Sequence, residues 1–182
     1  MHDFIWIFGY IILCWLMADF IAGFFHWWED QYATEDMWII GTLVAGPNSM
    51  HHDRPTAFLA GNYWGRNWTT IVPALAIALP LLYWAPFYSL PFFFATQANE
   101  IHGWSHQKCS PFIRILQEIE LFTSVKHHAQ HHVDPFSRRY CVMSGWLNPV
   151  LDYIGIWAGL EWIGRRVFEA EPKHSYFRKV PN

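Results

Sequence analysis

The sequence predicts an all-α, multi-pass membrane helical bundle of about three spans, with a cytoplasmic histidine-rich cap and interfacial amphipathic helices. Three observations carry that prediction. Hydrophobic residues make up 53% of the 182-residue chain and charged residues only 15%, well below the quarter or so usual for soluble domains. Long apolar runs recur in the first 105 residues. All twelve Lys and Arg residues lie on one side of the crossings those runs imply, together with nine of the eleven histidines.

Residues 4–25 (FIWIFGYIILCWLMADFIAGFF) are apolar except for Asp19. At about 1.5 Å per residue this run reaches about 33 Å, enough for a hydrocarbon core of about 30 Å. It begins without a basic stretch or a small-residue cleavage site, so it reads as a retained first helix. Asp19 is costly at that depth and predicts a partner inside the bundle. Residues 68–84 and 87–102 supply a second and a third, shorter span, joined by a tight hairpin at Pro86. Three crossings leave His26, His51 and His52, and everything from His102 onward, on one face. Arg54, Arg66, Lys108 and the remaining basic residues mark that face as cytoplasmic by the positive-inside rule.

Two further helices are expected on that face. Ser110 and Pro111 form a start signal ahead of a stripe of Phe112, Ile115, Leu116, Ile119 and Phe122. Asn148 and Pro149 repeat the signal ahead of Val150, Leu151, Ile154, Trp157 and Ala158. Both patterns suit helices lying in the membrane interface, and equally core helices of a cap. The chain divides into a body, 1–168, and a polar tail, 169–182, expected to be poorly ordered. The net charge of −3 gives no footprint for nucleic acid, and Cys14, Cys109 and Cys141 are too scattered for a disulfide framework or a thiolate metal site.

The histidines carry the chemistry. Nine stand in groups: His26; His51 and His52; His102, His106, His127, His128, His131 and His132. A mononuclear catalytic site takes about three protein ligands, so nine suit two adjacent ions. Helical spacing puts Asn99, His102 and His106 on one stripe, pairs His127 with His131, and pairs His128 with His131 and His132. His26 and Asp30, at i and i+4, offer an imidazole and the candidate active-site acid, either as a direct ligand or as support for a histidine. Asn99 and Asp134 are candidates for that supporting layer. Arg54, Arg138 and Arg139 flank the groups as candidate phosphate binders, or serve only as positive-inside charges.

Imidazoles accept zinc, copper, iron and nickel alike. A zinc hydrolase needs fewer of them and the H-E-x-x-H pattern is absent. A haem protein needs opposed pairs across a bundle, and a metal carrier needs ligands along its spans. An oxygen-activating iron pair fits best, and a histidine-rich membrane metal sensor stands as the non-enzymatic alternative.

The runs ADFIAGFFHWWED, HHDRPT, NEIHGWSH and KHHAQHHVDP, followed by YCVMSGWLNP, resemble the plasmanylethanolamine desaturase family, which includes the Kua-type lipid desaturases. The resemblance spans about residues 15–165. It implies a non-haem di-iron membrane enzyme that uses O2 and two electrons to remove two hydrogens from a lipid chain. The nine histidines would be its iron ligands, and Asp30 would match an acid the family also carries. For ether-lipid members the product is the vinyl ether of a plasmalogen; an acyl-chain desaturase of a glycerophospholipid is the neighbouring alternative. No flavin, haem or iron–sulfur motif is present, so an external donor of the cytochrome b5 or ferredoxin type is expected as partner, beside the phospholipid substrate.

Overall fold

In the computed structural model, which describes residues 2–175, the described residues form nine α-helices linked by short turns and no strand. The first, α1 (His2–Gln31), explains its own environment. Its buried positions include Cys14, Ala18, Asp19, Gly23, His26, Trp27 and Asp30, whereas Phe4, Trp6, Phe8, Leu13 and Phe25 are exposed. Small and polar residues facing inward with large apolar residues facing outward is the pattern of a helix whose outer solvent is lipid. The partner predicted for Asp19 is the backbone of a distant segment. Its carboxylate accepts from Met143 N at 2.8 Å and from Ser144 Oγ at 2.6 Å, fully buried. Gly23 lets that segment come this close, since a Cβ there would stand 2.7 Å from Cys141 Sγ and 3.1 Å from its Cα.

After α1 the chain turns through a π-helical stretch, Gly41–Ala45, into α2 (Gly46–Asp53). Helix α3 (Tyr63–Trp84) begins at Asn62, whose side chain accepts from Gly65 N at 2.8 Å. With α1 it is one of two described helices long and apolar enough to cross a membrane. A single 3-10 turn at Pro86–Tyr88 closes the expected hairpin.

The third expected span takes a different form. Residues 87–102 contain two short helices, α4 (Leu90–Ala95) and α5 (Ala98–Trp104), broken at Thr96 and Gln97. Thr96 Oγ1 donates back to Phe93 O at 2.7 Å and Gln97 N donates to Phe94 O at 3.0 Å, so local bonds tighten the turn and interrupt the helix. Helix α4 packs against both α1 and α3. Ala18, Ala95, Ala98, Ile101, Val142 and Met143 form the core where these elements meet.

Helix α6 (Pro111–Glu118) starts as expected, with Ser110 Oγ accepting from Ile113 N. Its apolar residues Phe112, Ile115 and Ile119 point away from the protein while Gln117 is buried and donates to Trp104 O and Thr123 O. Of its polar residues only Gln117 turns inward; Arg114 and Glu118 are exposed. Helix α7 is short (Val125–His128). Helix α8 (Leu147–Ile154) starts one residue before Asn148, which is not its cap: its side chain is buried and brackets Cys141, accepting from the backbone N and donating to the O. Helix α9 (Ile156–Val167) follows, and Leu151 and Trp157 pack with Trp27, Tyr140 and Cys141.

The described start of the tail contacts the body. Lys173 N donates to Gln31 O at 2.9 Å, and Lys173 Nζ reaches Glu29 O and Ala33 O. Carbonyls at and just past the C-terminal end of α1 accept from this ammonium, and His174 N donates to Gln31 Oε1, which holds residues 173–174 against the body. The rest of the tail lies outside the described residues.

Candidate metal centre

Eight of the nine histidines and Asp30 converge in two adjacent groups. In the first, one ligating atom from each of His51, His102, His106, His128 and His132 lies within 4.8 Å of all the others. The second holds His26, Asp30, His52 and His131 by the same measure. The groups abut, with the rings of His26 and His102 5.4 Å apart.

Backbone carbonyls aim the rings. His26 Nδ1 lies 3.1 Å from Tyr140 O, His51 Nδ1 3.2 Å from Pro55 O, and His131 Nδ1 2.8 Å from Arg138 O. A carbonyl can only accept, so Nδ1 carries the proton in each ring and Nε2 keeps a lone pair. Asp30 is fixed by Asn48, whose Nδ2 donates to Oδ1 at 2.6 Å, and by His52 Nε2 at 2.8 Å.

The donor set fits a cation. His26 Nε2, His131 Nε2 and Asp30 Oδ2 are buried and make no hydrogen bond, although each nitrogen lies within 3.6 Å of that oxygen. In the other group, His128 Nε2 is 2.8 Å from His102 Nε2 and 3.1 Å from His132 Nε2, and His106 Nε2 is 3.2 Å from His102 Nε2. Lone pairs pressed together in a buried site repel one another unless a positive ion sits among them, and satisfied polar groups are the rule in folded proteins. Burial, reinforced by neighbouring imidazoles, drives the proton affinity of these rings down: to about 4 for His106, to about 2 for His51 and His132, and well below the usual value for His128. Neutral imidazole is the form that binds metal.

His127 stands apart from both groups. The chain leaves the helix after His128, so the expected pairing of His127 with His131 does not form. The turn sends His131 to one group while His128 and His132 share the other. His127 Nε2 accepts from Asn148 Nδ2 at 3.1 Å and from Arg139 at 3.2 Å, and its Nδ1 lies 3.7 Å from Glu120.

The candidates for supporting roles scatter. Asn99 donates to Arg66 O at 3.0 Å, bridging α5 to α3 rather than holding a ligand. Asp134 is exposed and outside both groups. Arg139 is committed to Asp152 and His127, and Arg54 and Arg138 are exposed, although the Arg138 carbonyl orients His131. Helical spacing could have revealed Asn48, at i−3 and i−4 from His51 and His52; the three orienting carbonyls leave no side-chain signal.

A cleft of about 630 Å³ opens beside the histidines. Its lining combines the polar side chains of His26, His51, His102, Arg66 and Asn48 with apolar ones such as Ile21, Ile77 and Phe92. None of the three arginines singled out from the sequence lines it; Arg66 does, held by Glu100 at 3.2 Å. A mostly apolar cleft with a few polar side chains beside the histidines suits an amphiphile.

Comparison with known proteins agrees with this chemistry. The lipid desaturase domain matches residues 15–175. The chain is 34% identical over 163 residues to plasmanylethanolamine desaturase 1 of Mus musculus, covering 80% of this chain and 60% of that protein. It is 30% identical over 155 residues to plasmanylethanolamine desaturase of Myxococcus xanthus, covering 79% and 55%. It is 31% identical over 157 residues to the chloroplastic fatty acid desaturase 4-like 2 of Arabidopsis thaliana, covering 81% and 56%. The chain thus spans under two thirds of the length of these relatives. No solved structure matches it. The domain match takes in every grouped histidine and Asp30, and the chain belongs to the lipid desaturase family.

Proposed function

We propose that this chain is an integral-membrane di-iron desaturase that forms the vinyl ether bond of plasmalogens from alkyl ether phospholipids. The observation that carries the reading is the pair of abutting ligand groups, five histidines beside three histidines and one carboxylate, with His26, His51 and His102 lining a mostly apolar cleft. The relatives named plasmanylethanolamine desaturase support the ether-lipid choice. In this reading the crossings are multiple, with the broken α4–α5 segment completing the third, and the histidine face is cytoplasmic.

The reaction removes two hydrogens from adjacent carbons; with two electrons and two protons from outside, one O2 becomes two waters. Bound iron supplies the O2 activation needed to break an unactivated C–H bond. The protein's own residues do the rest. The carbonyls of Tyr140, Pro55 and Arg138 fix three imidazoles before any ion arrives, and Asn48 holds Asp30 in place. The apolar wall from Ile21 to Phe92 takes the chain and excludes water, leaving the carbons next to the polar headgroup beside His26, His51 and His102. Electrons come from a cytochrome b5 or ferredoxin-type donor on the same face.

The test is lipid analysis of cells that make alkyl ether phospholipids and express the chain. An acid-labile vinyl ether, absent with His131→Ala, is expected. A new acyl double bond with no vinyl ether moves the activity to acyl lipid, the second reading, favoured by the plant relative's name. No change in any lipid overturns both.

A further inference from the structure

The cleft has four walls, and one differs from the others. Helix α4 packs against both α1 and α3, and α5 against α3. The fourth wall is the stretch 40–48, where Ile40, Leu43 and Val44 face the cleft. Just before it the chain projects its apolar tip: Trp38 is 88% exposed and Ile39 51%. Ile39 sits at φ +37°, a left-handed conformation that a β-branched residue adopts only under strain. The π-helical turn Gly41–Ala45 follows at once, and a Cβ on Gly41 would strike the Glu35 carbonyl. Irregular turns of this kind inside helices gather at functional sites.

The rim of the cleft indicates what covers this tip. Phe25 of α1, Ile77 of α3, and Ile40 and Leu43 of the fourth wall all border the cleft and remain 38–53% exposed. Since α1 and α3 are the two helices fit to cross a membrane, the medium between their exposed flanks is acyl chain. The apolar rim of the fourth wall is continuous with that surface. An indole with two isoleucines at a loop tip is the chemistry of a membrane-seated anchor.

We propose that residues 38–44 form a lip seated in the acyl layer of the bilayer, through which a lipid chain enters the cleft sideways between α1 and α3. The inference rests on the membrane-lipid reading above, but its test does not depend on turnover. The lip is the strained wall, so it is the one that yields to let a chain pass, while α1 and α5 hold His26 and His102 still.

The experiment places an environment-sensitive fluorophore at Trp38→Cys in a Cys109→Ser background, in phosphatidylcholine vesicles; Cys14 and Cys141 are buried. Nitroxide on the lipid acyl chain is expected to quench this label far more than aqueous iodide, with the reverse for a label at the exposed Arg54→Cys. Stronger quenching of position 38 by iodide overturns the proposal. In parallel, Trp38→Asp, outside the cleft lining, is expected to slow conversion of bilayer-embedded ether lipid several-fold and to spare a short-chain ether lipid supplied as monomers. Equal loss on both, or on neither, overturns the gating role. If the wild-type protein converts neither lipid, the desaturase reading fails while the quenching result still decides the lip.

Discussion

His127→Ala separates the geometry of this site from the motif that surrounds it. The run KHHAQHH reads as four ligands, yet the His127 ring meets Asn148 and Arg139 and belongs to neither ligand group. Truncation leaves Asn148 Nδ2 with its 2.7 Å bond to Cys141 O, so only one of its two hydrogens loses a partner. The half-buried Arg139 keeps Asp152 and gains access to water. One partly compensated donor costs about 1 kcal/mol, at the low end of the range for an unsatisfied buried group. That lowers the melting temperature by about 2–4 °C for a chain of this size. Iron per polypeptide, measured by elemental mass spectrometry on detergent-purified protein, is expected to stay near the wild-type value. His131→Ala, by contrast, leaves its group with three donors of four and is expected to lose at least one ion. If His127→Ala sheds metal as His131→Ala does, His127 is a ligand and the two-group assignment is wrong.

Three other outcomes follow from the same coordinates. Gly23→Ala forces a methyl to within 3.1 Å of the Cys141 backbone, an overpacking cost of about 1–3 kcal/mol; because the same segment holds His26 through Tyr140 O, thermal stability and metal content should fall together, and Cys141→Ala should restore only part of either. In chelator-stripped protein, burial and neighbouring imidazoles keep His51, His106 and His132 below their unfolded affinity for protons. The unfolded chain therefore binds more protons below about pH 6.5, and stability declines from there downward, by about 1 kcal/mol at pH 5.5 for His51 alone; a melting temperature flat between pH 7.5 and 5.5 contradicts this. Asp19→Ala strands Met143 N–H and the Ser144 hydroxyl in the core, costing about 1–3 kcal/mol for each, and denaturant titration should show a larger loss than for His127→Ala.

Local spacing reveals what a single helix decides. His102 with His106, and His26 with Asp30, follow from i, i+4 geometry and meet as expected. The Ser110 cap follows from one hydroxyl and one proline. What was hidden depends on distant parts of the chain. Asn148 looks like a helix start in isolation, but Cys141 and His127 take its side chain. The segment 87–102 reads as one apolar run, yet the helix breaks where the Thr96 hydroxyl donates back to Phe93 O. The tail reads as polar and loose because nothing in its composition reveals that the end of α1 offers carbonyls to Lys173.

The carbonyls that steady the rings also set an order of events during synthesis. His26 leaves the ribosome 114 residues before Tyr140, whose carbonyl orients its ring, and His131 precedes its own partner, Arg138, by seven. Until that late segment is threaded against Gly23 and clasped by Asp19, His26 has a lone pair but no fixed direction, whereas His51 is already set by Pro55 O. Since metal affinity and folding are linked, capture of ions waits for nearly the whole body to emerge. A nascent chain halted before residue 138 already carries all eight converging imidazoles but lacks the Arg138 and Tyr140 carbonyls that aim two of them.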